Sequence, residues 1–196
     1  MTAVQKSRFA TNAPFAPMMA PQLKSFRDIV YPVLVHPRVK GERCIIRNGT
    51  PLTKRLTPVP NRMVQEQLSG LPDFDGMLQV MHGDSDEMYG NHLVHEPNAK
   101  ISFVFSVFDM VDTSLGYRNR LAEIEASNFD TSAEVASVYV VVPQEVHTKT
   151  ELQAVGEKWA GMGYVDMVIS DPYAPYYHGL CPYNSGIRYI WNMERV

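Results

Sequence analysis

Cysteine is scarce in this chain, and no long apolar run is present. Only Cys44 and Cys181 occur among 196 residues. A chain of this length can bury a sufficient core without disulfides, so both are expected to be reduced thiols of an intracellular protein. No apolar stretch is long enough to span a bilayer, and the N-terminus lacks the charged-then-apolar order of a secretory signal. These absences argue against secreted and membrane proteins and favour a cytoplasmic location.

Lysine is unevenly distributed, and none follows Lys158. Residues 1–62 carry eleven basic and two acidic side chains, a net charge of +9, whereas the remaining residues carry seven basic and nineteen acidic ones, a net charge of −12. A basic third is suited to contacting phosphates, and the acidic remainder would repel them. Folding can also interleave the two regions and leave no basic patch, so both interpretations stay open.

Turn signals and hydrophobic periodicity predict one domain of the α+β class. Residues 1–22, rich in proline and alanine, are expected to form an extended arm, and residues 23–196 a single domain. Predicted strands occur in hairpins with helices between them, which favours mostly antiparallel sheets with flanking helices. The predicted strands are YPVLVHP, the hairpin RCIIRNGTPLTKR, FDGMLQVM, ISFVFSVFDMVD, VASVYVVVPQ as a central strand, YVDMVISDP and IRYIWNMERV.

Helices are predicted in PNRMVQEQLSGL, YRNRLAEIEAS and TKTELQAVGEKWAGMG. Asn61 is expected to cap the first of these, and Thr148, with Glu151 three residues later, to form a capping box in the third. Between residues 82 and 100, a polar loop contains His92 and His95, whose spacing would fit two zinc ligands on one helix face. A solvated loop explains the same residues, and no metal site is assigned.

Five segments carry a family resemblance. They are, in chain order, APMMAPQLKSFRDIVYPVLVHP, HPRVKGERC, LTKRLTPVPNRMVQEQLSGLPDFDG, FSVFD and GYVDMVISDPYAPYYHG. Together, from about Pro17 to the C-terminus, they resemble the adenylation (nucleotidyltransferase) domain of ATP-dependent DNA ligases, especially the small phage type. The resemblance implies the ATP-grasp-like fold of that domain, without the OB-fold domain that follows it in a ligase. It also implies a phage gene product in the host cytoplasm or in a virus particle.

In this family, a lysine attacks the α-phosphate of ATP and forms lysyl-AMP. The nucleophile motif Lys-x-Asp-Gly-x-Arg corresponds here to RVKGER, in which Arg38 and Lys40 stand for the lysine and the aspartate, while Gly41 and Arg43 agree. Arginine is no substitute for the nucleophile, because its guanidinium stays protonated. On a strand, Lys40 would share a face with Arg38, but its Cα would lie about 6 to 7 Å from the required place.

The resemblance places two glutamates beside the metal and the ribose, and both are replaced here. Met77 stands where the second motif has a glutamate, directly after Asp75 and Gly76. Val165 stands where the fourth motif has the other glutamate. The neighbouring Asp166 is expected to point to the opposite face of its strand, so it would not restore the lost carboxylate.

The last motif of the family has two phosphate-binding lysines, and Asn192 and Glu194 stand in their places. Arg188 and Arg195 are the cations that remain in that segment. Because the nucleophile, both carboxylates and both lysines are missing together, the chain is predicted to be a catalytically inactive relative that acts by binding a protein partner. The alternatives are a nucleic-acid-binding module that uses the basic first third, and a divergent ligase with Lys40 as its nucleophile.

The loop DPYAPYYHGLCPY is dense in tyrosine, which suits a protein interface. Its candidate partner-binding residues are Tyr173, Tyr176, Tyr177 and Tyr183. Stacking on single-stranded bases and packing within the domain are alternative uses.

The resemblance also implies weak residual binding of ATP or AMP at Arg43 and Phe105. As bare sequence, however, Phe105 and Phe108 belong to an apolar strand that is typical of a core. No cofactor is assigned.

Overall fold

The computed structural model describes residues 15–81, 91–127 and 136–193. These residues form nine β-strands: β1 (Val33–Pro37), β2 (Glu42–Arg47), β3 (Thr50–Thr53), β4 (Phe74–Met81), β5 (Ser102–Met110), β6 (Ala136–Val140), β7 (Gln144–Val146), β8 (Asp166–Ser170) and β9 (Arg188–Asn192). They also form three α-helices: α1 (Arg62–Leu68), α2 (Tyr117–Ala126) and α3 (Lys149–Gly161). Short 3-10 helices cover Phe26–Asp28, Asn91–His95 and Tyr183–Ser185.

The strands form two sheets. One has the order β7-β1-β8-β9, and the other has the order β3-β2-β4-β5-β6. Every strand pair is antiparallel except β5 with β6, which is parallel. The predicted α+β class, the mostly antiparallel sheets and the three predicted helices are therefore confirmed.

The prediction of a central strand at VASVYVVVPQ was wrong. β6 lies at the edge of the five-stranded sheet and runs parallel to β5, as the crossover through α2 permits. Tyr139 and Val142 are exposed although the run is apolar. The chain leaves this sheet at Pro143, which cannot donate to a strand ladder, and β7 then joins the other sheet.

The predicted helix caps and the predicted hairpin turn are confirmed. The Asn61 side chain accepts hydrogen bonds from two N–H groups in the first turn of α1. Thr148 likewise accepts from the backbone of Glu151 at the start of α3. Asn48 and Gly49 both have positive φ between β2 and β3, as a tight hairpin turn requires.

Each sheet buries its own apolar cluster. The five-stranded sheet packs with α1 and α2, whose Leu68 and Ile124 are fully buried, and the four-stranded sheet packs with Leu152 and Val155 of α3. A third cluster joins Met18 to the loop after β8, so this part of the predicted arm is packed on the domain.

Both cysteines are buried free thiols. Among the described residues, no helix combines the length and apolar character needed to cross a membrane.

A candidate binding cavity between the two sheets

A cavity of about 450 Å³ is lined by strands of both sheets. The four-stranded sheet contributes His36, Val168, Arg188 and Ile190, and the five-stranded sheet contributes Glu42, Arg43, Met77 and Phe108. Pro17–Ala20, Lys54 and the loop between β1 and β2 complete the wall. Of the positions that the ligase resemblance singled out, the cavity wall contains Arg38, Gly41, Arg43 and Met77.

Arg38 lies in the cavity wall and is engaged in an ion pair. Its Nη1 is 3.0 Å from Oδ2 of Asp166, its backbone N–H donates to the Asp166 carbonyl, and Asn192 donates to the other carboxylate oxygen. Neither Val165 nor Asp166 lines the cavity, and the expected orientation of Asp166 on the face opposite Val165 stays a prediction. Asp166 begins β8 and reaches the Arg38 side chain from there.

Lys40 does not share a strand face with Arg38, because residues 38–41 form a loop rather than a strand. Lys40 is exposed and is not part of the cavity wall. Within the part of the chain that the structure describes, the lysine that lines the cavity is Lys54. It belongs to a segment that carried the resemblance, yet nothing in its sequence context marked it as a wall residue.

Arg43 forms a buried network with Asp75 and Tyr176. Its Nε and Nη2 donate to the two oxygens of Asp75 at 2.5 Å each, and the Tyr176 hydroxyl donates to the same carboxylate at 2.6 Å. Burial would lower the pKa of Arg43, but the carboxylate raises it above the usual value. Arg43 and Tyr176 also hold the backbone of Met18 through its carbonyl and its N–H.

Tyr176 is therefore an internal residue, and its assignment to partner binding was wrong. It is 2% exposed. Its hydroxyl donates a hydrogen bond to Asp75, and its ring packs in the third cluster. Tyr183 donates to the Asp28 carboxylate, and Tyr177 is partly buried against the third cluster. Tyr173 alone among the four is widely exposed, at 70%.

A second buried network lies around Asp109, at the end of β5. Arg120 donates to both of its oxygens, at 2.7 and 3.2 Å, and Arg188 donates to one of them at 2.8 Å. Burial alone would raise the pKa of Asp109, but the two guanidinium groups bring it below its usual value. The network joins α2, β5 and β9, and sequence reasoning did not anticipate it.

The positions of β9 that face the cavity are Arg188 and Ile190. Asn192 was assigned to a phosphate-binding place, but it does not line the cavity and donates instead to Asp166. The assigned Glu194 lies outside the described residues. Arg188 is thus the cation that this strand brings to the wall, and it shares the Asp109 carboxylate with Arg120.

Phe105 was assigned to residual nucleotide binding, and the structure contradicts this assignment. Its side chain is fully buried in the core of the five-stranded sheet. Because side chains alternate along a strand, Phe108 projects from the other face of β5 and lines the cavity. The Arg43 guanidinium lies 4.9 Å from the centre of the Phe108 ring.

His36 is a wall residue that sequence reasoning missed. It is 3% exposed, and its Nδ1 lies 2.9 Å from the Pro37 carbonyl. Burial lowers the pKa of His36 to about 4, with a smaller lowering by Arg188. The imidazole is therefore neutral at pH 7, and its Nε2 has no hydrogen-bond partner within the described structure.

Two motif glycines are required by the backbone rather than by chemistry. Gly41 has φ +130°, and a Cβ there would lie 2.3 Å from the Leu78 carbonyl oxygen. A Cβ on Gly76 would lie 2.5 Å from the Ser106 carbonyl oxygen. Both glycines allow β4 to lie close to its neighbours, so the fold alone accounts for them.

The wall does not fit a divalent metal. Magnesium prefers several carboxylate or phosphate oxygens, but Met77 presents a thioether, and Glu42 is the carboxylate residue in the wall. The described residues contain no group of three or more potential metal ligands. Of the polar loop, His92 and His95 fall in the 3-10 helix Asn91–His95, and residues 82–90 lie outside the described residues.

No protein-family model matches the chain, and no curated protein does so significantly. Solved structures are similar. The chlorella virus DNA ligase-adenylate has a TM-score of 0.78 and 20% identity, over 92% of this chain and 67% of that one. For the bacteriophage T7 ATP-dependent DNA ligase in complex with ATP, the TM-score is 0.58 and the identity 14%, over 90% of this chain and 68% of that one.

The chain has the fold of a DNA ligase adenylation domain. A Lig E DNA ligase, from a study of DNA binding with a minimal scaffold, is also similar, with a TM-score of 0.65 and 16% identity over 92% of this chain and 69% of that one. The adenylation-domain fold that the motifs implied is therefore confirmed. At such low identities the likeness concerns the fold, and this chain's chemistry has to be argued from its own residues.

Proposed function

We propose that this protein is a catalytically inactive relative of the DNA ligase adenylation domain and acts by binding a protein partner. The proposal rests on the contacts at the nucleophile position. Arg38 forms an ion pair with Asp166, and Asn192 donates a hydrogen bond to the same carboxylate. The group at the nucleophile position is a permanently charged guanidinium, and its charge is already matched by a carboxylate. Lysyl-AMP formation needs a neutral amine at this place, and none is present.

A protein partner is favoured by exposed apolar side chains near the cavity. Met19 and Leu180 pair through their backbones and are 55% and 63% exposed. Tyr173 lies in the same loop as Leu180 and is also exposed. Methionine and tyrosine are enriched at protein interfaces. We propose that this surface, rather than all four tyrosines of the loop, meets the partner, in a phage-encoded protein that acts in the host cytoplasm or in the particle.

Two measurements test the proposal. Incubation of the purified chain with ATP and magnesium, followed by intact-mass spectrometry, is expected to show no AMP adduct. An adduct would revive the divergent-ligase alternative, and an Arg38→Ala variant and a Lys40→Ala variant would then locate the reactive residue. A tagged pull-down from the native host, with and without nuclease, is expected to retain the same partner, and a Tyr173→Ser, Leu180→Ser double variant is expected to lose it.

Nucleic acid is the second candidate partner. Lys54, Arg55 and Arg62 are all exposed and belong to the basic first third of the chain, and a structural neighbour comes from a study of DNA binding by Lig E ligases. This candidate predicts binding of nicked duplex DNA that weakens steeply as salt rises, and recovery in the pull-down that vanishes after nuclease treatment. Replacing Lys54 and Arg55 with alanine would reduce the salt dependence; binding that is absent or insensitive to salt excludes this candidate.

A further inference from the structure

The outer edge of β6 carries backbone groups that no other described strand pairs. The Val141 N–H donates to the Val107 carbonyl of β5. Because the N–H and C=O groups of successive residues point to opposite sides of a strand, those of Val138 and Val140 point away from β5. β6 is the last strand of its sheet, so no described strand lies on that side. An open edge of this kind is a template for pairing with another strand.

The other three edges of the two described sheets are protected against such pairing. β3 contains Pro51, which has no N–H, and its Thr53 N–H already donates to the Thr57 carbonyl. Residues 21–23 cover β9 by bonding both the N–H and the C=O of Ile190. β7 is three residues long and carries the charged Glu145. Proline, charge, short length and covering segments are the devices that block sheet edges, whereas β6 has five residues with neither proline nor charge.

The side chains of β6 suit contact with an identical strand. Val138 and Val140 pack against the apolar cluster of the five-stranded sheet, whereas Tyr139 is 62% exposed on the opposite face. Residues 135–144 include no charged side chain. Two copies of this edge therefore meet without repulsion between like charges, although the whole chain has a net charge of −3. A charged strand would find no opposite charge here, so an uncharged strand such as β6 itself fits best.

We propose that β6 pairs antiparallel with β6 of a second copy of this chain, about a two-fold axis at Tyr139. Outward-facing residues must lie opposite each other, so Val138 meets Val140 of the second copy, and each such pair exchanges both N–H···O bonds. Tyr139 then faces its own counterpart, at the close spacing of a pair without hydrogen bonds. The two five-stranded sheets join into one continuous sheet through an interface that uses the same residues on both copies.

Sedimentation velocity on the purified full chain tests the proposal. The contact is short, so the dimer is expected to be weak, with a dissociation constant of roughly 10–100 μM, and the measurements extend to both sides of this value. Tyr139→Lys, at an exposed position, places two ammonium groups across the axis and should weaken the dimer at least about tenfold. Tyr173→Lys is the matched control, because Tyr173 is 70% exposed and lies outside this edge, and it should leave the dissociation constant unchanged.

A charge swap at Tyr139 separates direct pairing from a general effect of the substitution. Tyr139→Glu should weaken the dimer as Tyr139→Lys does, whereas an equimolar mixture of the two variants should dimerise again, because opposite charges then face each other. Backbone amide exchange gives an independent readout. The N–H groups of Val138 and Val140 should exchange more slowly as protein concentration rises, while those of Tyr139 and Val141, which point to β5, should not respond.

Three results overturn the proposal. The first is a chain that stays monomeric over the whole concentration range. The second is a dimer that Tyr139→Lys leaves intact, and the third is a failure of the mixed variants to dimerise. The surface proposed for the protein partner is separate from this edge. A pull-down without a partner therefore leaves the dimer proposal standing, and a monomeric chain leaves the partner proposal standing.

Discussion

Two sets of residues around the cavity differ in how they match the ligase motifs. The support comprises Gly41, Arg43, Asp75, Gly76, Asp109 and Arg120, of which Gly41 and Arg43 also line the wall, and the other set is the half-exposed Arg38 with its partner Asp166. Gly41, Arg43, Asp75 and Gly76 agree with the motifs, and each has a task in the fold: the two glycines avoid backbone clashes, and the Arg43–Asp75 pair is a buried network. In the wall, Arg38 stands at the nucleophile position, where the motif has a lysine. Agreement with a catalytic motif can therefore come from the structural requirements of the fold alone.

The two regions also differ in their energetics. The charged side chains of Asp109 and Arg120 in the support are fully buried. Removing either partner of such a pair is strongly destabilising, because it leaves an uncompensated buried charge. The Arg38 side chain is 53% exposed, so water can replace its partner at small cost. Changes in the support should therefore cost far more stability than changes at Arg38 and Asp166.

The largest effect is expected from Asp109→Asn. The change leaves Arg120 and Arg188 buried without a counter-charge, so the free energy of unfolding should fall by about 3–5 kcal/mol. Urea unfolding followed by circular dichroism measures it. The matched control is Asp166→Asn, which faces the half-exposed Arg38 and should cost less than about 1 kcal/mol. If both variants lost the same free energy of unfolding, the support and the wall would not differ in energetics.

The next effect is a dependence of stability on pH. The folded pKa of His36, about 4, lies below its unfolded value of 6.5, so the unfolded chain binds the proton more readily. The stabilisation is present above pH 6.5 and is lost as pH falls toward 4, by about 3 kcal/mol in total. Urea midpoints at several pH values measure this loss.

Two variants isolate the contribution of His36 to that pH profile. His36→Phe should flatten the decline between pH 6.5 and 4, whereas His147→Phe, at a widely exposed position, should leave it unchanged. The paired carboxylate Asp109 acts in a lower window, because its folded pKa lies below its usual value and its stabilisation is lost only at more acidic pH. An identical decline in wild type and His36→Phe would contradict the buried neutral imidazole.

A smaller effect is expected from Gly41→Ala. The new Cβ would meet the Leu78 carbonyl, and alanine would be held at φ +130°, so unfolding should become easier by about 1–3 kcal/mol. Gly161→Ala is the control, since nothing lies near its added Cβ and alanine is the better helix former. Thermal melts of both variants measure the change in stability. If Gly41→Ala melted at the same temperature as the unaltered chain, Gly41 would have no structural role.

The smallest effect is expected from Arg38→Met, which removes the wall charge while keeping much of the aliphatic length. Because the ion pair with Asp166 is half exposed, the free energy of unfolding should change by less than about 1 kcal/mol. Urea unfolding again provides the measurement. A loss above about 2 kcal/mol would show that Arg38 belongs energetically to the support, and that its replacement of the nucleophile position served stability.

The site could be predicted from the sequence only in part. The motifs pointed to the wall positions Arg38, Met77 and Arg43, because a motif fixes residues at short, known spacings. They misassigned Phe105 and Asn192, since a shift along a strand by a residue or two changes the face or the end at which a side chain lies. His36, Lys54 and Arg120 were missed because no local pattern marks them.

Residue identity and near neighbours were sufficient to predict the class of the fold, the hairpin turn at Asn48-Gly49 and the caps at Asn61 and Thr148. They also showed that position 38 has no lysine. Long-range packing, in contrast, makes β6 an edge strand, buries Tyr176 and brings Asp166 to Arg38. These outcomes depend on contacts between residues far apart in the chain, such as the 128 positions that separate Arg38 from Asp166. Burial and charge pairing act on distance in space, which local sequence patterns do not encode.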